Sequence, residues 1–438
     1  MAQEILKSEL DLFKNVSFQG SIEGSQFIQY RPVSSVTATS AIEFDIPVAI
    51  DEYLDLQNVF LWYRAKLTQQ NGNDYDAAQN NRYSLINYGL NTIFDQLSIF
   101  LGGTLISQSA NTYHYLAYIE AVTQNDKENC DTFMRSAGLI VPDTTAGHNY
   151  DIPDPNLCPI VTLSKQFTMY GRIHGSIFNS EKLLLNGVPL RLEFRRAPSQ
   201  FSTMGMPIVA GAGGAAATEP KIELSDISLF VRKVKLAPSL LSAHAKALQI
   251  SNAIYPIKHS IVRVLNLPAN QSSFVIDNIV MGQQPCKVIV GIVSNNAYTG
   301  NFVLNPLAFK HYNLNYLCFN INGESYPKIP YQPDFANNNY EREYFELFSN
   351  LGATRVTKPP AIHYNSFKDG YCLYVYNFNH DFDFANENEY INIPKEGFMN
   401  LELKFTGNIA EALKVIFYAQ FDNVIEIDQF RNVTVDYT

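Results

Sequence analysis

Acidic and amide side chains crowd one stretch of the chain, at a density that could bind a metal cation. The stretch NHDFDFANENEY contains His380, Asp381, Asp383, Asn386, Glu387 and Glu389. Carboxylate and amide oxygens are the ligands that Ca²⁺ prefers. The EF-hand pattern fails here, because its required glycine is missing. We therefore expect residues 380–389 to be a solvated acidic loop between two strands, and whether this loop binds a cation stays open.

Other residue types used in catalysis occur without the patterns that active sites require. The run GAGGAAAT at 211–218 lacks the GxxxxGK[ST] spacing of a phosphate-binding loop, and we expect it to be an exposed loop. The eight histidines form no HExxH pair, and no GxSxG nucleophile elbow is present. We predict no catalytic, cofactor-binding or metal-binding residues, no cofactor and no enzymatic activity.

The cysteines predict neither a disulfide framework nor a zinc site. They are Cys130, Cys158, Cys286, Cys318 and Cys372. Their number is odd and no CxxC pair occurs, so a reducing compartment fits best. Cys318 and Cys372 lie in apolar runs, and we expect both to be buried as small apolar side chains.

The charge balance argues against strong nucleic-acid binding. The formal net charge is -10, whereas a phosphate-binding face normally needs clustered Lys and Arg. Two short basic segments, RRAP at 195–198 and RKVK at 232–235, are expected at strand ends as solvated patches, although a role facing nucleic acid stays open for them. His244, on a predicted helix, is expected to contact a neighbouring domain or subunit.

The elements that would have to position any site are mostly strands. The chain has 29 Phe and 26 Tyr, which favour pleated sheets. Apolar runs predict strands at 59–67, 95–101, 188–194, 227–236, 258–267, 285–293, 314–321, 370–378, 400–405 and 412–421. Helical periodicity predicts helices at 5–13, 112–124, 238–249 and 337–350. We expect no signal peptide and no transmembrane helix, because no apolar stretch is long enough.

Three dipeptides between these runs predict tight hairpins. They are Gly102-Gly103, Asn186-Gly187 and Asn322-Gly323. Glycine and asparagine tolerate the positive φ angles that two-residue hairpin turns require.

Several strand-like segments recur in the same order in both halves of the chain. DQLSIFLGGTL, from Asp95, aligns without gaps to NYLCFNINGES, from Asn315, and an aromatic-rich helix follows each hairpin. The runs at 59–67, 190–194 and Ile227 correspond in turn to those at 285–293, 401–405 and Val415. An insertion around 204–220 accounts for the greater length of the first copy. The order predicts an internal duplication, although apolar alternation in a β-rich chain also recurs by chance.

The duplication divides a chain that is too long for one domain. Its 438 residues exceed the roughly 250–300 at which single cores stop growing. We expect all-β folding as two tandem eight-stranded antiparallel jelly-roll sandwiches with short inserted helices. The predicted units are an N-terminal arm at 1–20, jelly roll 1 at 21–237, a linker helix at 238–254 and jelly roll 2 at 255–438.

Five long segments resemble the major capsid proteins of Polinton/Maverick elements and of adintovirus-like and adomavirus-like viruses. They are residues 94–122, 182–194, 231–249, 305–327 and 416–437. The resemblance extends from about residue 50 to the C-terminus, and 68–85 and 196–220 contribute little to it. It implies a double jelly roll of the adenovirus-hexon-like lineage, with no catalytic residues to transfer.

The resemblance also implies a role and a set of partners. Members of the family form homotrimers that are pseudo-hexagonal capsomers, and these contact neighbouring capsomers in an icosahedral shell. A minor, penton-type capsid protein is the expected partner, the location is the virion, and assembly occurs inside the host cell. Whether the shell encloses a membrane stays open.

Two functions of other classes are weighed against this one. A β-sandwich lectin would stack aromatic loop residues on sugars. A carbohydrate-active enzyme on a jelly roll would need two carboxylates at a defined separation, and no such pair stands out.

Overall fold

The computed structural model describes residues 18–34, 41–75, 83–142, 150, 165–205, 220–355, 358–379 and 391–436. Three predicted segments lie wholly or mostly outside these ranges: the helix at 5–13, the insertion around 204–220 and the acidic loop at 380–389.

Ten strands come from the described residues of the first half. They are β1 (Ile22–Tyr30), β2 (Ile42–Ile46), β3 (Glu52–Gln69), β4 (Tyr83–Leu85), β5 (Phe94–Leu101), β6 (Thr104–Gln108), β7 (Phe167–Arg172), β8 (Leu190–Arg196), β9 (Thr203–Gly205) and β10 (Pro220–Leu236). Eight of these build two four-stranded antiparallel sheets, in the orders β1-β10-β3-β7 and β2-β8-β5-β6. Two such sheets with this order make a jelly roll.

The described residues of the second half repeat this arrangement. Their strands are β11 (Ala253–Leu267), β12 (Ser273–Gln283), β13 (Lys287–Ser294), β14 (Phe309–Lys310), β15 (Leu314–Ile321), β16 (Glu324–Tyr331), β17 (Asp369–Gly370), β18 (Leu373–Asn377), β19 (Glu396–Phe405), β20 (Leu413–Ile427) and β21 (Val433–Asp436). The sheet orders are β11-β20-β13-β18 and β12-β19-β15-β16, and β21 adds to β20. We call β1-β10-β3-β7 and β11-β20-β13-β18 the first sheets of their jelly rolls.

The predicted duplication is confirmed by strand position. The aligned strands β5 and β15 both occupy the third place of a second sheet, and β8 and β19 both occupy the second place. In the first sheets, β3 matches β13 and β10 matches β20 in the same way. Residues that align in sequence therefore occupy equivalent places in the two jelly rolls.

Alternation of side chains explains why these segments form half-buried strands. In β3, Leu61, Tyr63 and Ala65 are fully buried in the core, while Trp62 and Arg64 between them face outward. This period of two is what a strand with one covered face requires. The buried apolar side chains form one continuous cluster that extends through both jelly rolls.

Two of the three predicted hairpins are confirmed and one is wrong. Gly102-Gly103 joins the paired strands β5 and β6, and Asn322-Gly323 joins β15 and β16. Asn186-Gly187 is a turn, but it connects an isolated bridge at Leu184 to β8. The bridge at Leu184 pairs with Leu54, so the segments on either side of this turn do not pair with each other.

Short helices fill the connections between strands. They are α1 (Gly89–Thr92), α2 (Tyr113–Gln124), α3 (Lys127–Asp131), α4 (Ser199–Ser202), α5 (Pro238–Ala247), α6 (Asn295–Thr299), α7 (Glu341–Asn350) and α8 (Tyr364–Phe367), with 3₁₀ turns at Phe133–Ala137, Ser176–Asn179 and Ala353–Arg355. The predicted helices at 112–124, 238–249 and 337–350 correspond to α2, α5 and α7. Within the described part of the chain, no helix is long and apolar enough to cross a membrane.

Candidate assembly surfaces

Side chains that could bind a metal do not converge in the described residues. No group of three or more His, Cys, Asp or Glu side chains there is arranged to hold an ion. Cys318 and Cys372 are buried and free, as predicted. Burial raises the pKa of Cys372 to about 12, so its thiol stays protonated near neutral pH.

The basic segments lie at the ends of β8 and β10, as predicted, and three of their side chains pair with carboxylates of neighbouring strands. Arg195 donates to Asp95 at 2.8 Å, Arg232 donates to Asp55 at 2.7 Å, and Lys233 donates to Glu52 at 2.7 Å. Their strands, β8 and β10, occupy the second place of their sheets and have neighbours on both sides.

A buried polar network joins the two jelly rolls. Glu120, on α2, lies between residues of both units and is almost completely buried. Its Oε2 atom lies 2.8 Å from Nδ1 of His174, and its Oε1 accepts a hydrogen bond from the Tyr418 hydroxyl at 3.0 Å. Tyr418 is on β20 of the second jelly roll, and the hydroxyl of Ser260 on β11 lies 2.8 Å from it. On the other side, the Tyr88 hydroxyl lies 2.8 Å from Nε2 of His174.

Tyr418 is almost completely buried in this network, which changes the acid–base behaviour of its hydroxyl. Burial and the nearby Glu120 carboxyl hold the pKa of Tyr418 well above its usual value. Next to the network, the His259 ring lies 3.5 Å from the Ser176 hydroxyl. Burial lowers the pKa of His259 to about 4, so this ring is neutral near neutral pH.

Aromatic side chains of α2 pack on the second jelly roll beside this network. The ring of Tyr115 stacks on Tyr298 with centroids 6.0 Å apart, and its hydroxyl donates to the Pro306 carbonyl at 2.9 Å. Tyr115 and Tyr118 both contact the ring of Phe309, which is fully buried. Every residue of α2 from Tyr113 to Thr123 is consequently buried.

Two further contacts involve residues that the sequence analysis singled out. The guanidinium of Arg431 donates to the carbonyl of Asn186 at 2.7 Å and to its side-chain oxygen at 2.9 Å. The Asn186-Gly187 turn therefore receives a side chain from the second jelly roll, where a hairpin was predicted. His244 on α5 lies 2.9 Å, through Nδ1, from the Tyr53 hydroxyl, which confirms the predicted contact with a neighbouring domain.

An aromatic surface covers the outward face of the first sheet of the first jelly roll. We call it the aromatic face and define it by Phe27, Phe60, Trp62, Tyr170 and Phe230. Ring centroids are 5.9 Å apart for Phe27 and Phe60, 5.5 Å for Phe60 and Tyr170, and 5.8 Å for Tyr170 and Phe230. Phe27 is 54% exposed and Tyr170 is 39% exposed. Four strands thus present a row of rings to solvent, a composition typical of protein interfaces.

Sequence reasoning missed both the network and the aromatic face. A lone glutamate inside the apolar helix YHYLAYIEAVTQ is the local signal that could have indicated a buried partner, because ionisable side chains are rarely buried unpaired. Phe60, Trp62 and Phe230 lie in predicted strands, whereas Phe27 and Tyr170 lie in strands that the sequence analysis does not predict. Which face of a sheet is covered depends, moreover, on the neighbouring unit.

Solved structures with the same architecture include chains of viruses and virophages. A chain of the Sputnik virophage superposes with a TM-score of 0.67 at 11% identity, covering 100% of this chain and 93% of that one. The Faustovirus major capsid protein gives a TM-score of 0.59 at 10% identity, with 95% and 93% covered. The mavirus major capsid protein gives 0.55 at 12% identity, with 100% and 96% covered.

The chain is a double jelly roll. The predicted fold class is confirmed by this agreement over nearly the whole length of each structure. No protein-family model matches the chain. In sequence it is 23% identical over 433 residues to an uncharacterized protein of Caenorhabditis elegans, covering 95% of this chain and 98% of that protein.

Proposed function

We propose that this chain is a viral major capsid protein that forms homotrimers, which are pseudo-hexagonal capsomers of an icosahedral shell. The observation that supports this most is the double jelly-roll fold itself, shared over nearly the whole chain with a Sputnik virophage chain and with the Faustovirus and mavirus major capsid proteins. Two equivalent units in one chain let three copies present six similar units, which suits hexagonal packing.

The domain organisation follows from the same proposal. We assign residues 21–237 and 255–438 to the two jelly rolls, 238–254 to the linker and 1–20 to an N-terminal arm. Neighbouring capsomers and a minor, penton-type capsid protein are the proposed partners, and the virion is the proposed location. A similar chain of matching length in a nematode favours an element of the Polinton type carried in an animal genome.

The lectin-like alternative has no support among the similar structures, which come from virus capsids. A structural role also fits the described residues, where metal-binding clusters are absent and the exposed aromatic rings lie on a sheet face rather than around a cleft.

Size-exclusion chromatography with light scattering tests the proposal. We expect a stable species of three times the chain mass of 49.4 kDa, and negative-stain images showing particles with a pseudo-hexagonal outline. A chain that stays at 49.4 kDa over the whole accessible concentration range, and that binds a glycan array, would instead support the lectin.

A further inference from the structure

The contact between the two jelly rolls of one chain uses one surface of each, and we call it the internal junction. The first jelly roll contributes the helix that follows its β5–β6 hairpin, namely α2. The second contributes the outward face of its first sheet, where Tyr418 meets Glu120. Because the two units are equivalent, the second jelly roll also has such a helix, α7, and the first also has such a sheet face.

The registers identify the equivalent residues of the two sheet faces. Ile227 aligns with Val415, which places Phe230 of β10 at the position of Tyr418 in β20. Phe230 pairs with Phe60 across the sheet, as Tyr418 pairs with Ile289. By the same registers, Phe27 corresponds to Ser260 and Tyr170 corresponds to Leu373. The aromatic face is therefore the counterpart of the sheet face that α2 covers.

Burial differs between the counterparts in a complementary way. Ser260, Ile289, Leu373 and Tyr418 are all buried, whereas their counterparts Phe27 and Tyr170 are exposed and Phe60 and Phe230 are partly exposed. The helices show the reverse: α2 is buried from Tyr113 to Thr123, whereas only Glu343 and Leu347 of α7 are buried. Phe345 of α7 is 62% exposed. In the first jelly roll the helix is covered and the sheet face is exposed. In the second jelly roll the sheet face is covered and the helix is exposed.

Charges on the two open surfaces are of opposite sign. Arg64 and Arg172 are exposed on the outward side of the strands that carry the aromatic face. Helix α7 begins with the exposed Glu341, whereas Glu343 in the same turn is buried and does not contribute to the open surface. Such complementarity fixes the orientation of a contact and suppresses like-with-like pairing.

We propose that the aromatic face is the docking surface for helix α7 of a second copy of this chain. The contact repeats the internal junction between two chains, with the aromatic face of one copy receiving the second jelly roll of the next. It is heterologous, so it generates a closed ring or an open filament according to the rotation between copies. The inference rests on the proposed homotrimer and names the surfaces that form it.

Variants on each side of the contact test the proposal, with the molar mass measured by light scattering. On the aromatic face, Phe27→Glu combined with Tyr170→Glu would bury carboxylates opposite an acidic helix. On the helix, Phe345→Glu removes the exposed ring. We expect each to raise the dissociation constant between chains by at least about 30-fold.

Val275→Glu is the matched control, because Val275 is 62% exposed on a strand. Its counterpart in the first jelly roll is the exposed Asp45, so the repeated junction leaves this position in solvent. We expect the control to keep the mass of the unmodified protein. Far-UV circular dichroism and thermal unfolding identify any variant that fails to fold. If the double variant of the aromatic face fails to fold, Phe27→Ser is used in its place, because it introduces the residue type of the covered counterpart of Phe27.

Mixing the two defective proteins tests the direction of the contact. The double variant keeps an intact α7, and the Phe345→Glu protein keeps an intact aromatic face, so one contact can form and a two-chain species is expected. A mixture that stays at one-chain mass at every concentration would contradict head-to-tail docking. Folded variants that keep the unmodified mass would overturn the assignment of these surfaces while leaving the homotrimer standing. An unmodified chain that never associates would instead refute the proposed function.

Discussion

Removing one hydroxyl from the junction network measures how strongly it couples the two jelly rolls. In Tyr418→Phe, Glu120 loses the donor at 3.0 Å, and the Ser260 hydroxyl loses its neighbour at 2.8 Å. A hydrogen bond to a carboxylate contributes about 1.5–3 kcal/mol, and a buried acceptor left unsatisfied costs about 1–3 kcal/mol. Both ranges include the desolvation of the same acceptor, so they are not added. We expect the substitution to lower the unfolding free energy by about 2–3 kcal/mol.

Tyr376→Phe is the matched control within the same jelly roll. Tyr376 is buried like Tyr418, but its hydroxyl has no hydrogen-bond partner among the described residues. Removing that hydroxyl removes a desolvated polar group and keeps the ring, so we expect an effect near zero or a small gain in stability.

Guanidinium unfolding with two probes provides the assay. The chain has a single tryptophan, Trp62 on β3, so its fluorescence reports on the first jelly roll, while far-UV circular dichroism reports on both. We expect the two curves to coincide more closely in the unmodified chain than in Tyr418→Phe. Loss of coincidence indicates that the units unfold separately.

Equal effects of Tyr418→Phe and Tyr376→Phe would refute the reasoning. So would a double-mutant cycle with Glu120→Gln that gives no coupling energy, because contacting residues in one network should be non-additive by about 0.5–3 kcal/mol.

Three further outcomes are expected. Acid should destabilise the fold through His259, whose pKa falls from 6.5 to about 4 on folding. Between these two pH values the unfolded chain binds more protons than the folded chain. The contribution of His259 to the unfolding free energy is therefore fully present above pH 6.5, and up to about 3 kcal/mol is lost as the pH falls toward 4. Unfolding midpoints measured against pH should show a shallower acid decline in His259→Gln, and an unchanged decline would contradict this. Cys372 should resist a thiol reagent at pH 8 until the chain unfolds, since its pKa is about 12; fast labelling of the native protein would disprove it. Gly291→Ala should cost about 1–3 kcal/mol by thermal unfolding, because the new Cβ would clash with the Phe309 ring, whereas Gly24→Ala, with open space around it, should be close to neutral.

Local patterns sufficed to predict ten strand segments and their recurrence in the two halves, because alternation and turn residues act over a few positions. Gly102 and Gly323, both with positive φ angles, occupy the two confirmed hairpins, where such angles are needed. The incorrect hairpin at Asn186 has the same local signal. Its true partner, Arg431, is 245 residues away, and no local pattern encodes that distance.

The candidate surfaces were harder to predict for the same reason. Glu120 is bonded to residues 54 and 298 positions away, so its role depends on how the units dock. Phe27 and Phe345 look like ordinary alternating or helical apolar residues in the sequence. Their exposure becomes informative when they are compared with their covered counterparts in the other jelly roll.

Because the linker helix α5 tethers the two jelly rolls of one chain, the junction within a chain and the junction between chains depend differently on protein concentration. A contact within one chain forms at a local effective concentration set by the tether, commonly in the millimolar range for short tethers. The equivalent contact between two chains, from the aromatic face of one to α7 of the other, forms only as the concentration of chains rises. In a ring of three copies, half of the junctions would be complete as soon as each chain folds, and the other half would appear above a threshold of synthesis. Shell growth would then be timed by the amount of protein made, through the aromatic face alone.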